Sequence, residues 1–150
     1  MIVQTKTGVP SVGPAPAPNP NMVKYEAEAA SIVTNGATIE SDSAASGGKS
    51  IQNLNLTNSC LQFNNVDGGE NGGRATIDIY YATAEKSKLR LIVNDADYSF
   101  VNTLSTGGWT NYTGHAYLTV PLNSGKTNTI KLIGGHGGVN VDYITVSPLP

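Results

Sequence analysis

Three carboxylates and one indole are the side chains of this chain best placed by type and spacing to do chemistry. In Tyr25-Glu26-Ala27-Glu28 the two acids stand two residues apart. On an extended backbone that spacing puts both carboxylates on one face, where they repel unless something cationic lies between them. In Asn140-Val141-Asp142-Tyr143-Ile144, Asp142 is in phase with Ile144 and Val146, so its carboxylate is expected to point inward and to need a partner. A hard cation answers both needs: calcium takes roughly six to eight oxygen ligands at about 2.3–2.6 Å. The glycine-rich Ser46-Gly47-Gly48-Lys49 could add main-chain carbonyls. Spacing alone leaves the ordinary reading, two glutamates on a solvated strand face, equally open.

The indole is Trp109, the single tryptophan, in Ser105-Thr106-Gly107-Gly108-Trp109-Thr110-Asn111-Tyr112. It follows paired glycines in a loop, where there is little local core for it to fill. The apolar C–H face of a pyranose stacks on indole, and sugar hydroxyls call for neutral amides. A second loop, Gly134-Gly135-His136-Gly137-Gly138, leads into Asn140, which would supply such an amide if both loops share one end of the fold. His136 could hydrogen-bond a bound sugar from the same loop. The alternative for Trp109 is a cap over the end of the core.

The elements that must position these groups read as β throughout. Short runs rich in β-branched and aromatic residues alternate with Gly, Asn, Ser and Asp. They fall at residues 23–29, 50–56, 60–66, 74–82, 88–94, 99–104, 116–122, 127–133 and 140–146. The clearest alternation sets Ala75, Ile77, Ile79 and Tyr81 on one face against Thr76, Asp78 and Tyr80 on the other. Half-buried strands without βαβ units predict an all-β fold, an antiparallel β-sandwich or jelly roll. Residues 1–22 carry Pro10, Pro14, Pro16, Pro18 and Pro20 among Ala, Gly, Ser and Asn, the composition of a disordered linker. The module is then expected at 23–150.

Composition bounds the partners. Only 13% of the 150 residues are charged, and the net charge of -2 gives no basic footprint for nucleic acid. No stretch approaches the roughly 20 apolar residues that cross a bilayer, so a membrane partner is not expected either. The lone Cys60 permits no internal disulfide and reads as a buried, inert thiol. The opening Met1–Lys6 lacks the apolar core of an export signal, so a secreted location would require a signal already removed or a piece of a longer protein.

Taken together, Tyr25-Glu26-Ala27-Glu28-Ala29, Ser46-Gly47-Gly48-Lys49, Thr106-Gly107-Gly108-Trp109, Lys126-Thr127-Asn128-Thr129-Ile130-Lys131-Leu132 and Asn140-Val141-Asp142-Tyr143-Ile144 resemble carbohydrate-binding module family 35, with family 6 as a close relative. The resemblance spans about residues 24–146. It implies a β-jelly-roll and a structural calcium held by Glu26, Glu28 and Asp142, with the Lys49 carbonyl a further ligand. It also implies a sugar site at one end of the sandwich where Trp109 and Asn140 make contact. Family 6 clefts usually hold the sugar between two aromatics, one from an early loop, and residues 33–49 contain none. A single platform, assisted by Tyr112 or Tyr98, is the expectation.

Ligand choice follows from charge. A uronate would need a cation, for which Arg74 and Lys49 are the candidates, while Asp95 and Asp97 would repel it unless they held a second calcium. The resemblance implies uronic acids, galactose-containing chains or β-mannans as ligands; the charges favour a neutral one, and β-1,4-mannan or manno-oligosaccharides are the expectation because they need only Trp109, Asn and hydroxyl groups. The proline-rich stretch resembles linkers of bacterial plant-wall hydrolases, which implies a covalently attached catalytic module such as a mannanase; the module itself is expected to be a monomer without catalysis. Glycosidases need paired carboxyl groups, and nothing pairs Glu40, Asp67, Glu70, Asp95 and Asp97, or gives His115 and His136 a nucleophile. A protein-adhesion β-sandwich is the reading from a different class; it predicts an exposed apolar patch in place of the cleft.

Overall fold

The computed structural model describes residues 9–11 and 21–149. Among the described residues twelve strands form two antiparallel sheets. The larger runs β1 (Val9–Ser11), β10 (Gly114–Leu122), β7 (Gly73–Ala82), β12 (Asn140–Pro148), β5 (Lys49–Gln52) and β4 (Thr38–Ser41), with β2 (Val23–Glu26) also on β12. The smaller runs β3 (Ile32–Thr34), β6 (Cys60–Asp67), β11 (Lys126–Ile133), β8 (Ser87–Val93) and β9 (Ala96–Thr103). The predicted β-sandwich is therefore observed.

Alternation sets the core. Ala75, Ile77, Ile79 and Tyr81 face inward from β7, as predicted, and meet Leu89, Leu91, Ile130 and Leu132 from the other sheet. Fully burying each aliphatic side chain contributes about 1.5–3 kcal/mol. Cys60 is buried as expected, and burial raises its thiol pKa. On the outward face of β7, Asp78 is also buried, against His115 Nδ1 at 3.1 Å. Burial pushes the Asp78 carboxyl up to about 6 while His115 draws it down. Beside this pair Tyr80 stacks on Tyr143 with ring centres 4.4 Å apart, and Lys24 Nζ caps Tyr143 at 4.1 Å.

Three expectations change, the first being that the expected strand 50–56 is cut to Lys49–Gln52 and the residues after it join a loop. Residues 9–11, read as linker, pair with β10, with Pro10 opposite Ala116. An edge strand tolerates a proline because its missing N–H is not needed by an inner neighbour. The rest of the expected linker, apart from Asn21 and Met22, lies outside the described residues. Strand 23–29 stops at Glu26, and Ala27–Ala29 coil into a 3-10 turn. β3 and β4, unpredicted, are three and four residues long, too short to show a period.

The sandwich has two distinct ends. At one, the loops of residues 68–72, 94–95 and 123–125 are stapled by the fully buried Asn128. Its Nδ2 donates to the carbonyls of Val66 (3.0 Å) and Asn123 (2.9 Å), and its Oδ1 accepts from Asn94 Nδ2 and Asn123 N–H, each at 2.8 Å. The loops of residues 53–59, 83–86, 104–113 and 134–139 meet at the other end. Asn128→Ala would leave several buried partners unsatisfied and should cost about 3 kcal/mol by urea denaturation. Because it sits at the end away from Trp109, the indole emission maximum measured below the melting range should stay unchanged.

Candidate carbohydrate cleft and carboxylate cluster

At the loop end, Trp109 is 42% exposed, so much of the indole stands open to solvent. It lines a cleft of about 410 Å³ with Gln52, Asn53, Asn55, Glu85 and Asn140, and with Gly137 and Gly138 in the wall. Asn140 Nδ2 donates one hydrogen to the Trp109 carbonyl at 2.9 Å, which positions the indole loop and leaves Oδ1 and the second Nδ2 hydrogen for other partners.

The organising residue is Thr83, wholly buried just past β7. Its carbonyl accepts the Thr106 N–H at 2.8 Å, and its N–H donates to Thr106 Oγ1 at 3.1 Å, pinning the Trp109 loop. Its one hydroxyl proton is shared between the carbonyls of Glu85 at 2.7 Å and Gly138 at 2.8 Å, tying its own loop to the glycine loop. The fourth loop joins through Gly134 and Gly135, whose N–H groups donate to Ser59 and Leu54 carbonyls at 2.7 Å. Gly138 lies against the indole: a Cβ there would stand 2.6 Å from Trp109 Cη2.

Of the residues expected to bind sugar, the structure brings Trp109 and Asn140 together and moves the others away. Tyr112 donates its hydroxyl to Asp42 Oδ2 at 2.7 Å, with Ser50 Oγ at 2.9 Å, and burial raises its pKa. It braces the loop from beneath and does not line the cleft. Tyr98 packs on the core near the start of β9, about five residues or roughly 17 Å of strand from the Trp109 loop. The His136 ring turns edge-on to Phe100, centres 4.8 Å apart, although its neighbours Gly137 and Gly138 line the cleft. Gln52, Asn53, Asn55, Glu85 and Thr83 were not singled out from the sequence. The run Gln52-Asn53-Leu54-Asn55 carried a signal, amides interrupted by one core leucine; an ordinary threonine as hub carried none.

The carboxylates converge, by a route different from strand spacing. Glu26 ends β2, Glu28 sits in the 3-10 turn, and both reach toward Gly47: a Cβ there would lie 2.8 Å from Glu28 Oε2 and 3.9 Å from Glu26 Oε1. Gly47 has φ +68°, a conformation that also favours glycine. Asp142 is 3% exposed, and its burial comes from a break in register between Val141 and Tyr143, which ends the simple phase with Ile144. There β12 changes neighbour, from β5 at Val141 to β2 at Tyr143. Ser46 N–H donates to both Asp142 oxygens at 2.9 and 3.0 Å, and Ser46 Oγ to Glu26 Oε2 at 2.6 Å. Lys24 Nζ pairs with Glu26 Oε2 at 3.1 Å.

That does not satisfy the cluster. Glu26 Oε1 and Glu28 Oε1 are buried and unpartnered. Burial pushes the Asp142 carboxyl up to about 6 against the Ser46 N–H, and Glu26 and Glu28 raise it further. An all-oxygen donor set with orphaned acceptors fits a hard cation. The carboxylates are neighbours rather than a closed cage, since among the described residues no three His, Cys, Asp or Glu side chains are already set for a metal. Lys49 opens β5 after the turn, opposite Ser41.

A family model described as carbohydrate binding module (family 35) matches residues 35–146. The chain belongs to that family. A family 35 module from Clostridium thermocellum superposes with TM-score 0.74 at 29% identity, over 83% of this chain and 98% of that one. A second, from Paenibacillus barcinonensis, gives TM-score 0.75 at 27% identity, over 85% and 99%. An exo-beta-1,3-galactanase from Phanerochaete chrysosporium, in a structure with beta-1,3-galactotriose, gives 0.68 at 27%; 82% of this chain matches 28% of that enzyme. No curated protein sequence matches significantly. The module is thus a non-catalytic carbohydrate-binding domain.

The packing of Gly138 on the indole generates a test with a single reporter, because the module has one tryptophan. Its backbone is not left-handed, so Gly138→Ala strains no φ and acts through the ring. The indole should be displaced, shifting the emission maximum of the folded protein and weakening ligand binding at least tenfold; an unchanged spectrum would show that the wall yields instead.

Proposed function

We propose that the module holds a neutral polysaccharide in the Trp109 cleft, β-1,4-mannan or manno-oligosaccharides foremost, and so keeps a covalently attached, secreted glycoside hydrolase close to plant cell-wall substrate. The observation that carries this reading is the exposed indole beside Gln52, Asn53, Asn55 and Asn140. A sugar ring laid on the indole sheds water from its C–H face, and the amides take its hydroxyls. Neither Arg74 nor Lys49, the cations a uronate would need, lines the cleft. With one platform, affinity should be micromolar to millimolar, about -4 to -8 kcal/mol. Tethering converts such weak contacts into a high effective substrate concentration for the partner.

A galactose-containing chain is the second reading, favoured by the beta-1,3-galactotriose in the related galactanase structure. Affinity electrophoresis on mannans, xylans, galactans and pectins separates the two. Retardation is expected on mannan, and Trp109→Ala should abolish it while leaving the circular dichroism spectrum intact. Retention unchanged by that substitution would reject the cleft.

The carboxylate cluster is proposed to hold a structural Ca2+, with Glu26, Glu28, Asp142 and the Lys49 carbonyl as ligands. The ion would supply the positive charge that the two orphaned glutamate oxygens lack. A ligand bound only by the folded state stabilises it, by about 2.7 kcal/mol at a hundredfold excess over its dissociation constant. Excess chelator should therefore lower the melting temperature, and added calcium should restore it. An unchanged melt would remove the metal from the module.

A further inference from the structure

Glu85 is the one ionisable side chain among the residues that line the cleft; its neighbours there are amides, glycines, a valine and the indole. Its backbone is fixed at both polar groups by Thr83, whose hydroxyl accepts the Glu85 N–H at 3.2 Å and donates to its carbonyl at 2.7 Å. The carboxylate stands by the wall glycine: a Cβ on Gly137 would lie 3.7 Å from Glu85 Oε1. Among the described residues no hydrogen bond or ion pair engages this carboxylate, so its oxygens are free to meet a ligand.

We infer that Glu85 is the specificity-determining residue of the cleft, selecting neutral sugars and excluding their uronic acids. This rests on the Trp109 cleft being the carbohydrate site. A carboxylate accepts hydrogen bonds from two neighbouring hydroxyls of one ring, and such charge-assisted bonds are about twice as strong as those to a neutral amide. The same charge repels a C6 carboxylate on the sugar. At about 5 Å in a water-like dielectric the repulsion corresponds to a penalty on the order of fourfold in affinity, reduced by salt. Exclusion by like charge thus adds to the missing cation: the site attracts hydroxyls and actively rejects the acid.

Two ligands that differ only at C6 test this directly: mannotetraose and β-1,4-tetramannuronate, titrated by calorimetry against the wild type, Glu85→Gln and Trp109→Ala, in calcium and in chelator. The wild type should prefer mannotetraose. In Glu85→Gln the neutral sugar should bind several-fold more weakly and the acid no more weakly, so the preference narrows at least fourfold; 0.5 M NaCl should narrow it in the wild type as well. Trp109→Ala should lose both ligands. A preference unchanged by Glu85→Gln overturns the assignment while leaving the cleft in place. So does acid binding that appears only with calcium and disappears in Glu85→Gln, since Glu85 would then be the ligand of a bridging cation. A wild type that binds neither sugar overturns the assignment together with the mannan reading beneath it.

Discussion

A buried carboxylate without a compensating positive charge is among the costliest features a small sandwich can carry, and this one gathers three carboxylates at a single seam. The seam is where β12 loses β5 as its neighbour and gains β2, and Asp142 sits in the register break at that point. Removing a charge from water in this way is tolerated only when hydrogen bonds or an ion replace the lost solvation. Ser46 supplies part of that with its N–H and hydroxyl, and Lys24 supplies another part from the rim. Two glutamate oxygens are left over. The geometry of β2, the glycine turn and the top of β12 all follow from keeping these groups together.

The cleft is built on the opposite economy, with little charge and many backbone bonds. Its four loops have few apolar anchors of their own, and rigidity comes from the buried Thr83 and from the N–H groups of Gly134 and Gly135. A preorganised frame matters most where one aromatic provides the platform, because any ordering cost on binding would be subtracted from a small total. Paired glycines around Trp109 and Gly138 allow the close approaches such a frame requires. Neutral amides and one carboxylate line the space this frame leaves open.

The sandwich was legible because strands such as β7 and β8 alternate cleanly, and inward residues read from the sequence are the buried ones observed. That Trp109 and Asn140 lie side by side was legible because their two loops were expected to share one end of the sandwich. Tyr112 and Tyr98 stand outside the cleft for one reason: a tyrosine near an exposed loop in sequence looks like a platform, yet its hydroxyl or ring has partners that only tertiary structure reveals. Glu26 and Glu28 illustrate a right destination by a wrong path. Strand spacing predicted a shared face, whereas a 3-10 turn beginning at Ala27 delivers the second carboxylate. Thr83 was invisible, since one hydroxyl among many threonines becomes a hub only through its position at the end of β7.

The two sites are not independent, because the same pieces of backbone serve both. Asn140 holds the Trp109 carbonyl, and Asp142, two residues on, belongs to the carboxylate cluster. From beneath, the Tyr112 hydroxyl ties the Trp109 loop to Asp42, whose N–H donates to the Gly48 carbonyl in the turn facing Glu26 and Glu28. The carboxylate cluster and the Trp109 loop are thus joined by covalent backbone along β12 on one side and by the Tyr112–Asp42 hydrogen bond on the other. The two hydrogen bonds that turn the Tyr112 hydroxyl toward Asp42 and Ser50 are what make it a strut between the two regions.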